Sequence, residues 1–137
     1  LTLKPGSGWR VYIGSDLIGE MNQMDPRFTV KTEETASFGD TAEEPLPSVF
    51  SGQFTIRGKF SPEDTGQTAV LAALNTPAKI AAMTIIASGT KGSGSAVGWS
   101  GAAVLTEVSP SPKWDTPAAD VSYSFATHGA WPFATNL

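Results

Sequence analysis

The sequence predicts a mainly β protein, an antiparallel β-sandwich or barrel carrying one α-helix, and three observations carry that prediction. Over residues 49–61 the side chains alternate without a break: Phe50, Gly52, Phe54, Ile56, Gly58 and Phe60 share one face, and Ser51, Gln53, Thr55, Arg57 and Lys59 the other. Residues 97–108 and 119–127 give two more strand patterns, the second with Val121, Tyr123 and Phe125 set against Asp120, Ser122 and Ser124. Only residues 61–75 change to a helical period.

In chain order, residues 1–8 contain Pro5, Gly6 and Gly8 and predict an extended arm. Trp9, Val11 and Ile13 share one face of a short strand, and Gly14, Ser15 and Asp16 mark a turn. Residues 17–24 form a second strand candidate that Asp25-Pro26 breaks, and 27–33 resume as a hairpin partner with Phe28 and Val30 opposed to Arg27, Thr29 and Lys31. Residues 34–48 have no apolar period and hold Gly39, Pro45, Pro47 and the acids Glu34, Asp40, Glu43 and Glu44. They predict a long surface loop, and such loops are uncommon in compact domains unless they are functional or disordered.

For the helix, Ser61 is the expected N-cap, Pro62 the first helical residue, and Glu63 and Asp64 lie where the positive end of the dipole favours acids. Ala69, Val70, Ala73 and Leu74 make its apolar stripe, with Leu71 beside them, and Asn75 and Pro77 close it. Gly66 costs about 1 kcal/mol relative to alanine there. Residues 79–87, rich in Ile, Met and Thr, read as a buried strand, and Ser88 to Gly94 as a flexible connection. The strand at 97–108 is apolar on both faces, with Trp99, Gly101, Ala103 and Leu105 on one and Val104, Thr106 and Val108 on the other, which suits a central position. Residues 109–117 hold Pro110, Pro112, Pro117 and Trp114 and predict a loop, and 128–137 an irregular surface tail.

The 137 residues fit one domain over 1–137 with no internal repeat. Thirteen Asp and Glu against nine Lys and Arg disfavour a protein that grips nucleic-acid phosphates. Without cysteine there is neither a disulfide framework nor a thiolate metal site. No apolar run reaches the roughly 18 residues that a membrane-spanning helix needs, so the chain reads as soluble, with no membrane insertion.

Catalytic patterns fare badly one by one. His128 is the only histidine, and it lies in an expected turn before Trp131-Pro132. Gly98-Trp99-Ser100-Gly101 has its second glycine one residue too early for a nucleophile elbow, and no helix follows. Gly89 to Gly94 lacks the Gly-Lys-Ser/Thr of a phosphate loop. Glu33 and Glu34 would point to opposite faces of a strand, and Glu43 and Glu44 are loop acids that water solvates. No catalytic, metal or cofactor site is expected. Trp9 and Trp99 fit core positions, whereas Trp114 and Trp131 stay open as stacking platforms.

Glu34-Thr35-Ala36-Ser37-Phe38-Gly39-Asp40-Thr41, followed by an acidic proline-bearing loop and a strand with Ser51-Gly52, resembles the major tail tube proteins of bacteriophages with long non-contractile tails. Val121 to Trp131 is similar to that family's closing strand and turn, and the order of elements between agrees. The resemblance implies a tail-tube-like domain that forms homo-hexameric rings, stacked into a tube through which DNA passes without specific binding. It also implies tail partners (terminator, tip and tape measure proteins), a place in the virion tail and assembly in the bacterial host cytoplasm. Residues 34–48 then correspond to an inter-subunit loop, with Thr35, Phe38, Gly39, Asp40, Glu43, Glu44, Pro45 and Pro47 as contact residues, helped by the arm at 1–8 and the C-terminal tail.

Physical reasoning is in keeping with that implication. Long strands leave edges that a ring can pair, head-to-tail contacts generate rings and filaments, and each contact would bury on the order of 1,000 Å² or more. A negative lumen wall would repel DNA, and Asp16, Glu20 and Glu107 are the candidate lumen acids. Two alternatives stand beside it: a carbohydrate-binding or adhesin-like β-sandwich using Trp114 and Trp131, and a related terminator or tip ring protein.

Overall fold

The computed structural model describes residues 8–35, 44–115 and 117–137. Its strands are β1 (Arg10–Ile13), β2 (Asp16–Leu17), β3 (Met21–Thr35), β4 (Glu44–Lys59), β5 (Lys79–Ser88), β6 (Val97–Ser111), β7 (Asp120–His128) and β8 (Phe133–Ala134), with helix α1 (Thr65–Asn75) between β4 and β5. They form one antiparallel sheet in the order β2-β1-β5-β6-β7-β4-β3, and β8 adds to β6. The expected mainly β fold with a helix is therefore present, as a single curled sheet that does not close by strand pairing.

The sheet can curl because β6 is long and shared. Its first half, from Val97 to Val104, pairs with β5, and its second half, from Ala102 to Ser111, pairs with β7. The two ends of the sheet thereby come to face each other around one core. Phe28 of β3 lies 5.5 Å from Trp99 of β6 and 6.2 Å from Trp131, and Phe54 of β4 lies 4.9 Å from Phe125 and 5.4 Å from Trp131. Val11, Ile56, Met83, Ile85, Val121 and Tyr123 fill the rest of the buried interior.

Period 2 located β4, β6 and β7 correctly, and the prolines misled. β3 runs straight through Asp25-Pro26, with Pro26 opposite Phe54. It can do so because β3 ends the sheet, so one row of its backbone N–H groups has no ladder partner for proline to remove. β6 likewise continues through Pro110 to Ser111, beyond the part of it that β5 covers. The tail is not irregular throughout: β8 pairs with Gly98 and Trp99, and Leu137 exchanges backbone hydrogen bonds with Gly94 and Ala96.

The helix starts later than expected. Asp64, not Ser61, is the N-cap, its carboxylate accepting from Gln67 N at 3.0 Å. The buried helical residues are Gly66, Gln67 and Val70, while Leu74 is exposed, so the expected stripe is rotated. The cause is what α1 covers. β2 and β3, the two ends of the sheet, are joined in sequence by Ile18 to Glu20, and α1 lies over that seam. A Cβ on Gly66 would run into the carbonyl of Leu17, so the glycine that weakens an isolated helix is what lets this one approach.

Gln67 ties the seam together. Its Nε2 donates to Gly19 O and Lys59 O, both at 3.0 Å; its Oε1 accepts from Ser61 N at 3.1 Å and Tyr123 Oη at 2.9 Å. Both amide donors and both lone pairs of the carbonyl are used, which is what a wholly buried amide requires. Asp64 adds a second tie by accepting from Gly19 N at 3.0 Å.

Candidate assembly surfaces

The outward face of β3, β4, β7 and β6 is largely polar, with Ala126 of β7 and the exposed Val104 of β6 as apolar exceptions. Alternation in β4 turns Phe54 and Ile56 into the core and Gln53, Thr55 and Arg57 out, and antiparallel register carries the outward set across its neighbours. Asp25, Thr55, Ser124 and Glu107 lie opposite one another in turn, as do Gln23, Arg57, Ser122 and Ser109. Glu107 reaches this face at a register shift after Leu105.

Its polar groups are tied to each other. Thr29 and Ser51, directly opposite, share a hydroxyl contact of 2.9 Å, and Thr55 and Ser124 one of 3.2 Å. Arg57 Nη1 reaches diagonally to Asp25 Oδ2 at 2.6 Å, and Lys59 Nζ reaches Asp120 Oδ1, directly across from it, at 2.5 Å. The hydrogen bond and charge of Lys59 hold the Asp120 carboxyl below its ordinary range, so that carboxylate's contribution to stability is present above pH 3.8 and is lost as the pH falls through its lower folded value. The face is open and concave over about 710 Å³, lined by Asp25, Arg27, Arg57, Thr106, Glu107 and Ser124. Small-molecule pockets are mostly apolar, and this is not one.

Beside the face lies the outer edge of β3, which among the described residues pairs only with β4. It is a long edge with Val30 exposed, blunted by Pro26 and by the charges of Asp25, Arg27 and Lys31.

The sequence-predicted site residues do not form one cluster. Asp16 lies on β2, at one end of the sheet; Glu20, with a left-handed φ of 64°, immediately precedes β3 at the other end and its carbonyl accepts from Lys59 N of β4 at 2.9 Å; Glu107 is on the four-stranded face. The loop expected over 34–48 is shorter: Thr35 pairs with Glu44, Glu34 with Pro45 and Thr32 with Pro47, extending the hairpin of β3 and β4. Proline at Pro45 and Pro47 suggested loop and masked the strand. Phe38, Gly39, Asp40 and Glu43 lie outside the described residues, as does the arm at 1–7.

Trp131 cannot serve as a stacking platform, because it is 3% exposed and donates its indole Nε1 to Ala102 O at 2.7 Å. Trp114, between β6 and β7, stands 104% exposed. Ser100 lies mid-strand opposite Thr84, so Gly98 to Gly101 makes no elbow. Among the described residues no group of three or more His, Asp or Glu side chains is placed to hold a metal ion. Gln67 and the pairing of Asp25 with Arg57 escaped sequence reasoning, since each depends on which distant strands become neighbours.

No protein-family model matches the sequence, and no curated protein matches it. Solved structures do match. A chain of the tail of an empty gene transfer agent particle, determined with helical refinement and C6 symmetry, superposes with a TM-score of 0.77 at 17% identity, covering 97% of this chain and all of that one. A chain of the SPP1 tail tube gives 0.78 at 11% identity over 98% of this chain and 81% of its own. A chain of the sheath/tube terminator of an extracellular contractile injection system gives 0.72 at 18% identity, over 98% and 99%. The chain thus has the fold of tail-tube subunits from end to end, and at these identities the likeness establishes the fold.

Proposed function

We propose that this chain is a structural subunit of a phage-type tail tube, forming hexameric rings that stack into a conduit for DNA. The observation that carries the reading is the end-to-end match to a chain of a helical tail of C6 symmetry. Two features of the chain support it. The long outer edge of β3 is suited to pairing with the next subunit, so that neighbouring sheets continue around a ring. The polar face of β3, β4, β7 and β6 is broad and open, its concavity lined mainly by polar and charged side chains, which suits a bore wall. In this reading the hairpin tip between Thr35 and Glu44, with Phe38, Gly39, Asp40 and Glu43, reaches the neighbouring subunit or ring. Asp16, on β2 at the far end of the sheet, becomes a contact residue, whereas Glu20, beside Lys59, and Glu107 stay bore acids. The tube ends on terminator and tip proteins, encloses a tape measure protein, and is built in the host cytoplasm before it serves in the virion.

A second reading, a terminator ring, is favoured by the likeness to a terminator chain of an injection system. Negative-stain electron microscopy of the purified chain separates the two. Long tubes are the expected result; isolated rings at every concentration would assign the chain to the terminator class, and a monomer at every concentration would overturn both.

A further inference from the structure

We infer that the polar face of β3, β4, β7 and β6 is charge-compensated in cis along its second strand, Asp25 and Asp120 masking the two cations of β4 so that duplex DNA passes along it without being held. The choice of DNA as the passing polyanion rests on the tail-tube reading; the compensation itself rests on this chain's geometry alone.

Over residues 21–32, 50–59, 97–111 and 120–128 the face carries Arg27 and Lys31 on β3 and Arg57 and Lys59 on β4, against Asp25, Glu107 and Asp120. Glu33, Glu34 and Glu44 belong to the hairpin end of β3 and β4, Glu20 precedes β3, and Asp16, Glu63 and Asp115 lie off the four strands. Cations in such a row on two adjacent strands are what a phosphate backbone binds, each contact releasing a counterion. Here two of them are already engaged: Arg57 with Asp25 at 2.6 Å and Lys59 with Asp120 at 2.5 Å. Each aspartate sits within the face, on the strand flanking β4 on either side, so a phosphate reaching either cation must displace a carboxylate and approach its negative charge. Asp25 is further fixed by Gln23 Nε2 at 3.3 Å.

Between the charges the face presents Thr29, Ser51, Thr55, Ser122 and Ser124. The hydroxyls of Thr29 and Ser51, and of Thr55 and Ser124, pair with each other, and none of the five supplies charge. Such a surface neither repels a polyanion strongly nor grips it, which is what sliding demands. A wall of uncompensated acids would achieve release by repulsion alone, and a wall of free cations would stall the strand. The pairing of Asp25 and Asp120 with the two cations of β4 selects the middle course.

The test removes the masks. The full chain, kept below its assembly concentration, is compared with the double variant Asp25→Asn/Asp120→Asn by fluorescence anisotropy on a short labelled DNA duplex at roughly 50 and 200 mM salt. A control variant, Asp16→Asn/Glu63→Gln, removes the same charge elsewhere. The ion pairs are half-exposed, so the fold should survive their loss, which circular dichroism checks. The expected result is negligible binding by the parent and by the control, and at least tenfold tighter binding by the Asp25/Asp120 variant, lost at the higher salt. Binding by the parent as strong as by that variant, an equal gain in the control, or no gain in the Asp25/Asp120 variant would each overturn the inference. Failure of the tail-tube reading shows separately, as absence of tubes and rings in electron micrographs, and leaves the DNA comparison intact.

Discussion

Tyr123 of β7 donates its phenolic hydroxyl to Gln67 Oε1 of α1 at 2.9 Å, in the interior of the protein. That bond joins the centre of the sheet to the helix that covers the seam between its two ends. Tyr123→Phe removes one donor and leaves Gln67 Oε1 still served by Ser61 N, so the expected loss is about 1 kcal/mol. Gln67→Leu instead orphans Gly19 O, Lys59 O, Ser61 N and the tyrosine hydroxyl together, and should cost at least about 3 kcal/mol. Urea denaturation of both variants measures the difference; equal losses would show that Gln67 acts through Tyr123 alone.

At Gly66 the sign of an ordinary substitution reverses. In an exposed helix glycine to alanine stabilises by about 1 kcal/mol. Here the added methyl meets the backbone at Leu17 and Ile18, which cannot withdraw without opening the seam, so Gly66→Ala should destabilise by about 1–3 kcal/mol. Stabilisation in the same denaturation assay would mean that the helix does not dock as closely as described.

How much of this could be read beforehand follows from the range of each interaction. The alternation from Phe50 to Lys59 fixed both the strand and the outward set Gln53, Thr55 and Arg57, because a period of two is written in consecutive residues. Phe60, placed by the same alternation on the inner face, is in fact exposed, since β4 ends at Lys59 and the chain turns toward Asp64. Pro26 and Pro110 read as breaks because their tolerance depends on being at an unpaired edge, a property of the sheet and not of the segment. Nothing local in the sequence marks Gln67 as buried. Its burial is decided by Gly19, Lys59, Ser61 and Tyr123, which only the folded topology brings together. The same holds for Asp25 and Arg57, 32 positions apart in sequence.

The two tryptophans left open by the sequence should respond in opposite ways. Trp131 packs against Phe28 and Phe54 and is closed over by Gly101, so Trp131→Ala should cost about 3–5 kcal/mol. Trp114→Ala, at a fully exposed position, should change stability by no more than about 0.5 kcal/mol while removing the emission that acrylamide quenches most readily. With Trp131 buried, added sugars should leave the parent's emission unchanged. A saturable spectral shift on adding a sugar would revive the carbohydrate-binding alternative.

Burial, and then the nearby Asp64 carboxylate, push the Tyr123 hydroxyl above its ordinary pKa of 10.0. The folded chain therefore holds this proton more tightly than the unfolded chain does. The stabilisation is complete below pH 10 and is lost as the pH rises through the folded value. Denaturation midpoints of the parent should fall more steeply above about pH 10 than those of Tyr123→Phe, in which the group is absent. Parallel pH profiles for the two chains would show that the phenol titrates alike in both states.

The hairpin of β3 and β4 allows a clean separation of folding from assembly. Thr35 and Glu44 lie opposite each other, so residues 36–43 can be replaced by Asn-Gly, a two-residue turn whose twist matches that of paired strands. Cutting further back would remove ladder pairs, since Pro45 and Pro47 belong to β4. The core, from Phe28 and Phe50 inward, keeps every contact described above, so cooperative unfolding should persist with stability within about 1 kcal/mol of the parent. If residues 36–43 carry the contact to the neighbouring subunit or ring, the same chain should give no long tubes in electron micrographs. Tubes of normal length from the shortened chain would remove the tip from the interface, and loss of cooperative unfolding would place it in the fold instead.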